Sequence, residues 1–293
     1  MEYVVSPEEH GISLLAFLEK KSEKAFSLKK LKKIIEERNC KVGDRVECFS
    51  SRKLAAGEVI NVSFPSQKVS KSQAVHFEIL FEDPDFIVVN KPSNVVSTDE
   101  SFASLGNVKL VHRLDKDTTG LLLLAKNSQA LCMGEKLFLD KVIKKSYLAL
   151  VDGHVTGKRG VIDNYLGKVG GYEGQSIYGA VSLKDGKRAI TEWIALEAKK
   201  EATFLLCDLK TGRTHQIRAH LAGMGHPILG DYQYAKKRFI SSVSFSHHLL
   251  HAWKLSFIHP KTKKQVFLIA PIPGEFQKAL NSLGFQSPLY QVK

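Results

Sequence analysis

The chain has 293 residues, of which 43 are Lys or Arg and 30 are Asp or Glu, giving a net charge of +13 and a pI near 9.4. A hydrophobic content of 43% supports a packed core and excludes a disordered polar chain, and the length suits one large domain plus a small one. The positive excess favours a polyanionic partner, nucleic acid being the commonest. The acidic start MEYVVSPEEH and the lack of a membrane-spanning apolar run imply a cytoplasmic protein with no membrane partner.

Residues 12–19 place Leu14, Leu15 and Leu18 at helical spacing. Ser27 is positioned to cap a second helix over 28–38, in which Leu28, Leu31, Ile34 and Ile35 make one apolar stripe. Lys29, Lys30, Lys32 and Lys33 occupy its other faces, either as a solvated surface or as phosphate contacts. Strand-like pieces follow at 45–49 and 58–64, and the polar, aperiodic stretch PSQKVSKSQ at 65–73 reads as a linker. Domains over 1–66 and 74–293 result. The helix pair followed by KVGDRV and by S-x-x-L-x-x-G-E-x-I-x-V (51–62) resembles the S4-type RNA-binding module. That resemblance implies that residues 1–66 bind RNA, with the four lysines as contacts.

The larger part interleaves strands with a few helices. Strand patterns fall at 76–81, 86–90, 121–125, 147–151, 189–196 and 204–209, all β-branched, aromatic or apolar. Helical periods cover 130–140 and 214–222, a hairpin is predicted from 255–259 to 266–269, and a closing helix from 276 to 283. Several strands follow one another without an intervening helix, which predicts an α+β fold on a mixed, largely antiparallel sheet. The glycine-rich GKVGGYEG at 167–174 lacks a preceding apolar strand and G-x-G-x-x-G spacing, and so reads as a mobile loop. The four cysteines form no C-x-x-C pair and are expected to be reduced, with Cys132 and Cys207 in the core.

The most informative stretch is VHRLDKDTTGLLLLAK at 111–126, where a charged triplet leads through a Thr-Thr-Gly turn into a buried strand. Alone it fits a surface loop in which Asp115 pairs with Arg113. Its context is KSYLALV at 145–151 and GRTHQIRAH at 212–220, with NKP at 90–92 before and LHA at 250–252 after. These blocks, in this order over about residues 75–275, resemble the RluA-type pseudouridine synthases. Asn94 stands where that family usually has Gly, and Thr119 replaces a more frequent Ser.

The resemblance implies an RNA pseudouridine synthase, acting on rRNA or tRNA as a monomer and without a cofactor. Isomerising uridine needs a carboxylate beside the ribose, a cation to keep it charged in an apolar pocket, and an aromatic ring against the uracil. Asp115, Arg218 and Tyr147 match the family's positions for these roles, and Arg113 matches the arginine that enters the RNA stack. His112, Lys145, Arg213 and His215 complete the expected RNA contacts. His215 and Arg218, three residues apart, are expected to share a helix face. The competing reading is a non-catalytic RNA-binding or ribosome-assembly protein on the same fold. A metal site is not expected: His247, His248 and His251 have no carboxylate near them in sequence, and no H-E-x-x-H occurs.

Overall fold

The computed structural model describes residues 1–22, 26, 28–36, 39–43, 45–47, 49–63, 76–172, 175–235, 239–240, 243 and 245–286. The cap expected at Ser27, the linker at 65–73, and the side chains of Lys29, Lys30 and Lys33 lie outside the described residues. The chain divides into two compact units, Met1–Val75 and His76–Lys293.

The first unit holds β1 (Glu2–Val4), α1 (Leu14–Lys21), α2 (Leu28–Glu36), β2 (Cys40–Val42), β3 (Arg45–Val46) and β4 (Val59–Val62). Its antiparallel sheet has the order β1-β4-β2-β3. α1 starts two residues later than its periodicity suggests because Ser13 caps it, accepting from the Ala16 N–H. The stripe of α2 buries Leu31, Ile34 and Ile35 against Leu14, Phe17, Leu18 and Ile60. Leu28 does not join them and is 50% exposed at the helix start. Strands β1 and β2, three residues each, are too short for an alternation to show in sequence.

The second unit contains β5 (Glu78–Glu82), β6 (Phe86–Lys91), β7 (Lys109–Leu110), β8 (Thr119–Ala125), α3 (Ser128–Leu139), β9 (Lys144–Asp152), β10 (Arg159–Tyr172), β11 (Gln175–Val181), β12 (Lys187–Ala198), β13 (Ala202–Leu209), α4 (Gln216–Gly223), β14 (Leu250–Ile258), β15 (Gln265–Ile269) and α5 (Gly274–Ser282). One sheet runs β11-β10-β12-β13-β9-β14-β8-β6-β5, with β15 beside β14 and β7 beside β8. Among the described residues only β8 and β14 pair in parallel. The fold is therefore mixed α+β on a largely antiparallel sheet, as the sequence implied.

β8 is central and buried along its whole length. Its leucines alternate between two apolar layers: Leu122 and Leu124 join Ile87, Val89 and Leu148, while Leu121 and Leu123 join Phe86, Val88 and Phe257. Burying each contributes about 2 kcal/mol, which makes the strand a rigid base for the loop before it. Thr119 and Gly120 belong to this strand and not to a turn. Gly120 has φ +107°, and a Cβ there would fall on the Ala252 carbonyl oxygen, so only glycine lets β8 and β14 approach this closely.

Two further expectations change. Residues 167–172 are not a loop but the end of β10, which pairs with β11 from Tyr165↔Val181 to Tyr172↔Gln175 around a bulge at Lys168/Gly170. A Cβ on Gly167 would lie 2.6 Å from the Asp185 carbonyl oxygen, so this glycine serves a close approach. Cys132 is exposed on α3, whereas Cys207 is buried.

Candidate active site

The loop between β7 and β8 carries Asp115, and several groups fasten it. Leu114 is buried in the core, and the Ser97 hydroxyl serves its backbone on both sides, donating to the Leu114 carbonyl (2.7 Å) and accepting from its N–H (3.2 Å). Lys91, fully buried at the end of β6, donates to the carbonyls of Pro92, Val95 and Lys116 at 2.8–2.9 Å. Desolvation lowers its ammonium pKa to about 8. The turn this lysine holds contains Asn94 at φ 65°, a left-handed position that suits glycine and, next best, asparagine. At the far end Thr118 bonds His248 Nε2 (2.9 Å) and Thr119 bonds His251 Nδ1 (2.8 Å). His112 accepts from the Leu123 N–H (3.0 Å) and stacks on Phe138. Burial pushes its pKa down to about 3, so the ring is neutral and ties the loop to β8.

Arg218 rises from α4 toward this loop. Its Nη1 donates to Asp115 Oδ2 at 3.0 Å. Its Nε and Nη2 hold Asp231 side-on at 2.6 and 2.9 Å, and Nη2 also donates to Gln233 Oε1 at 2.6 Å. Tyr234 lies under the guanidinium, 4.9 Å from ring centroid to Cζ. Asp231 is 2% exposed and Arg218 6%, so the arginine is fixed from below and presents one N–H pair upward to Asp115. Asp115 thus pairs with Arg218 and not with Arg113, which is exposed at the mouth of the cavity.

His215 is not on the helix. It is the residue before α4, in the left-handed region at φ 53°. Its Nδ1 lies 3.0 Å from the Tyr234 hydroxyl, which accepts from the Tyr178 N–H (2.9 Å). With the hydroxyl hydrogen directed at Nδ1, the ring proton falls on Nε2, 3.8 Å from Asp115 Oδ1. Burial lowers the His215 pKa and keeps the ring neutral. Gln216 satisfies all its polar atoms, with Thr211, the Arg213 N–H, the Ile190 carbonyl and Thr191, and so pins this turn to β12.

Asp115, Arg218, Tyr147, His112, Arg113, Lys145, Arg213 and His215 all line one cavity of about 320 Å³. Tyr147, on β9, is buried, and desolvation together with nearby Asp115 raises its hydroxyl pKa, so it is a neutral ring and hydroxyl at the cavity wall. Lys32 belongs to the other unit, exposed on α2. Sequence reading missed Lys91, Ser97, Gln233 and Tyr234, and left Asp231 unassigned. The available signal for Asp231 was that a buried arginine needs more than one shared carboxylate.

One cluster of metal-ligand composition occurs among the described residues, Asp83, Asp85 and His259. His259 Nδ1 accepts from the N–H groups of Lys261 and Thr262, which leaves the proton on Nε2, facing Asp83 at 3.0 Å. Lys261 holds Asp85 at 2.5 Å. The His259 Nδ1 is already taken by two backbone N–H groups and Lys261 already neutralises Asp85, so these residues are engaged with their own neighbours.

The sequence profile described as RNA pseudouridylate synthase matches residues 85–223. A ribosomal large subunit pseudouridine synthase D of Zymomonas mobilis is 34% identical over 74% of this chain and 76% of its own length. A ribosomal large subunit pseudouridine synthase C of Vibrio cholerae is 32% identical over 79% and 81%. The human RNA pseudouridylate synthase domain containing 4 protein superposes with a TM-score of 0.59 at 23% identity, covering 72% of this chain and 94% of its own, a likeness of fold. The chain belongs to the RNA pseudouridylate synthase family and is an isomerase of its RluA type.

Proposed function

We propose that the chain isomerises uridines of ribosomal or transfer RNA to pseudouridine, with Asp115 as the reacting carboxylate, as nucleophile or base. The observation that carries this reading is the asymmetry of Asp115. Its Oδ2 is bound by Arg218, while among the described residues nothing hydrogen-bonds its Oδ1, and the His215 Nε2 stands 3.8 Å from it. Ribosomal RNA is the favoured substrate because relatives at 30–34% identity are named for the large ribosomal subunit.

The reaction breaks C1′–N1, turns the uracil and joins C1′ to C5; the C5 hydrogen is lost and N1 gains one, so atoms balance without a redox partner. Asp115 faces the ribose, Tyr147 packs on the uracil, and Arg218 keeps a positive charge beside the carboxylate throughout. The base must leave the RNA stack to enter a cavity this small, and Arg113 at the mouth is suited to fill the gap. Residues 1–66 act as an S4-like RNA-binding arm, and the protein works as a cytoplasmic monomer. An intact Asp115–Arg218–Asp231 set weighs against a binding protein that has lost catalysis.

Mapping pseudouridine in rRNA and tRNA with and without the gene tests the substrate. Asp115→Asn in the purified enzyme tests the chemistry: the change is isosteric, so folding and RNA affinity should persist while turnover disappears. Turnover within ten-fold of the parent, about 1.4 kcal/mol in the barrier, would exclude Asp115 as the reacting group.

A further inference from the structure

We infer that the groove between the end of α3, the start of β9 and the end of β13 is the track for single-stranded RNA flanking the target uridine. This rests on the reading of the neighbouring cavity as the uridine site. The groove, about 1240 Å³, shares Phe138, Lys145, Gly212 and Arg213 with the cavity that holds Asp115. A strand whose base enters that cavity can continue along this wall.

Lys145 marks the junction. It is half-buried, with its Nζ over the Phe138 ring at 4.9 Å and 3.5 Å from where a Gly212 Cβ would stand. Among the described residues no carboxylate pairs with it, and burial alone lowers its pKa to about 8. A desolvated ammonium without a counter-ion costs folding energy, and a phosphate at this point supplies the missing charge. On the same rim Arg213 is steadied by its Nε donating to the Arg188 carbonyl at 3.0 Å.

Further out, Lys136, Lys141 and Lys144 are exposed along the groove, which holds six cations against three carboxylates. Lys136 and Lys141 also suit the carbonyl end of α3, an account that reaches neither Lys144 nor Lys145. Unpaired strands are favoured over duplex because apolar surface lies among the charges: Leu139 is 80% exposed and the Phe138 ring lines the same groove. Such surface receives unstacked bases, whereas a duplex offers phosphates and groove edges only.

The test compares two triple variants of the full-length protein that change net charge equally. One is Lys136→Glu/Lys141→Glu/Lys144→Glu, in the groove. The other is Lys158→Glu/Lys184→Glu/Lys264→Glu, at exposed positions elsewhere. The probe is an unstructured single-stranded RNA of about 15 nucleotides with one central uridine, titrated at several salt concentrations. The groove triple should lose about two units of the log–log salt slope, near 0.7 per single-strand contact, and the remote triple well under one. Turnover at saturating RNA should not change in the remote triple. Equal losses in the two triples, no loss in the groove triple, or an equal loss of duplex binding would overturn the inference. The matching Lys→Gln triples and a thermal melt separate misfolding from lost contacts. Because the readout is binding, the outcome does not depend on whether the parent converts uridine, which the pseudouridine assay decides by itself.

Discussion

Replacing Asp231 with Asn isolates the part of the site that never touches substrate. The carboxylate accepts two short charge-assisted hydrogen bonds from Arg218, at 2.6 and 2.9 Å, and is 2% exposed. Asn keeps the shape but turns an NH2 group against one guanidinium N–H and removes the charge. Breaking one partner of a buried pair costs about 3–5 kcal/mol, which at about 2–4 °C per kcal/mol for a domain of this size predicts a melting point lower by roughly 6–20 °C. Arg218 and Asp115 remain, so lost activity would report their aim. A shift of order 1 Å lowers turnover by about 10–100-fold. Urea unfolding and single-turnover pseudouridine formation at saturating RNA read the two effects separately. A loss below about 1 kcal/mol, the worth of a surface pair, with normal turnover would refute the view that Asp231 seats the arginine.

Deleting residues 1–66 should leave a folded catalytic unit, because each unit has its own apolar core; the deletion removes 12 of the 43 Lys and Arg. RNA affinity should weaken and its salt slope flatten by roughly 0.7–0.9 per lost contact, and a single-turnover rate as low as that of Asp115→Asn would show that the arm is part of the site. Stability should also fall in mild acid. His112 and His248 have pKa values lowered to about 3, and His220 and His251 to about 4, each chiefly by desolvation. The unfolded chain, with pKa near 6.5, then binds more protons than the native one, so stability is complete above about pH 6.5 and drops toward pH 4, by up to about 1.4 kcal/mol per pH unit per ring. A urea midpoint that stays constant from about pH 7 to pH 5 would contradict the buried neutral rings.

The parts of the fold legible in sequence are those whose signal is local. The run Leu121–Leu124 announces a strand buried on both faces, and Leu31, Ile34 and Ile35 announce a helix stripe. The β10–β11 hairpin was hidden because Gly167, Gly170 and Gly171 lack the side chains that would show alternation; the reason for Gly167 lies in Asp185, far from view in a linear reading. His215 was misplaced because helical spacing to Arg218 is also met by a left-handed residue just outside the helix. At the site, chemistry-bearing types in motif order placed eight residues in one cavity. The supports Lys91, Ser97, Gln233 and Tyr234 were not legible, since their partners are backbone carbonyls or residues brought near only by the tertiary fold.

The parallel seam between β8 and β14 has a temporal meaning. Thr118 and Thr119 reach His248 and His251 across 130 and 132 residues, and closing so long a loop is among the slow events of folding. The chain leaves the ribosome from its N-terminus, so the first unit can fold around its own core while the loop bearing Asp115 still lacks the strand it leans on. A nascent or prematurely ended chain lacking β14 would carry RNA-attracting charge but no seated carboxylate. The site around Asp115 is therefore completed only after β14 has been synthesised.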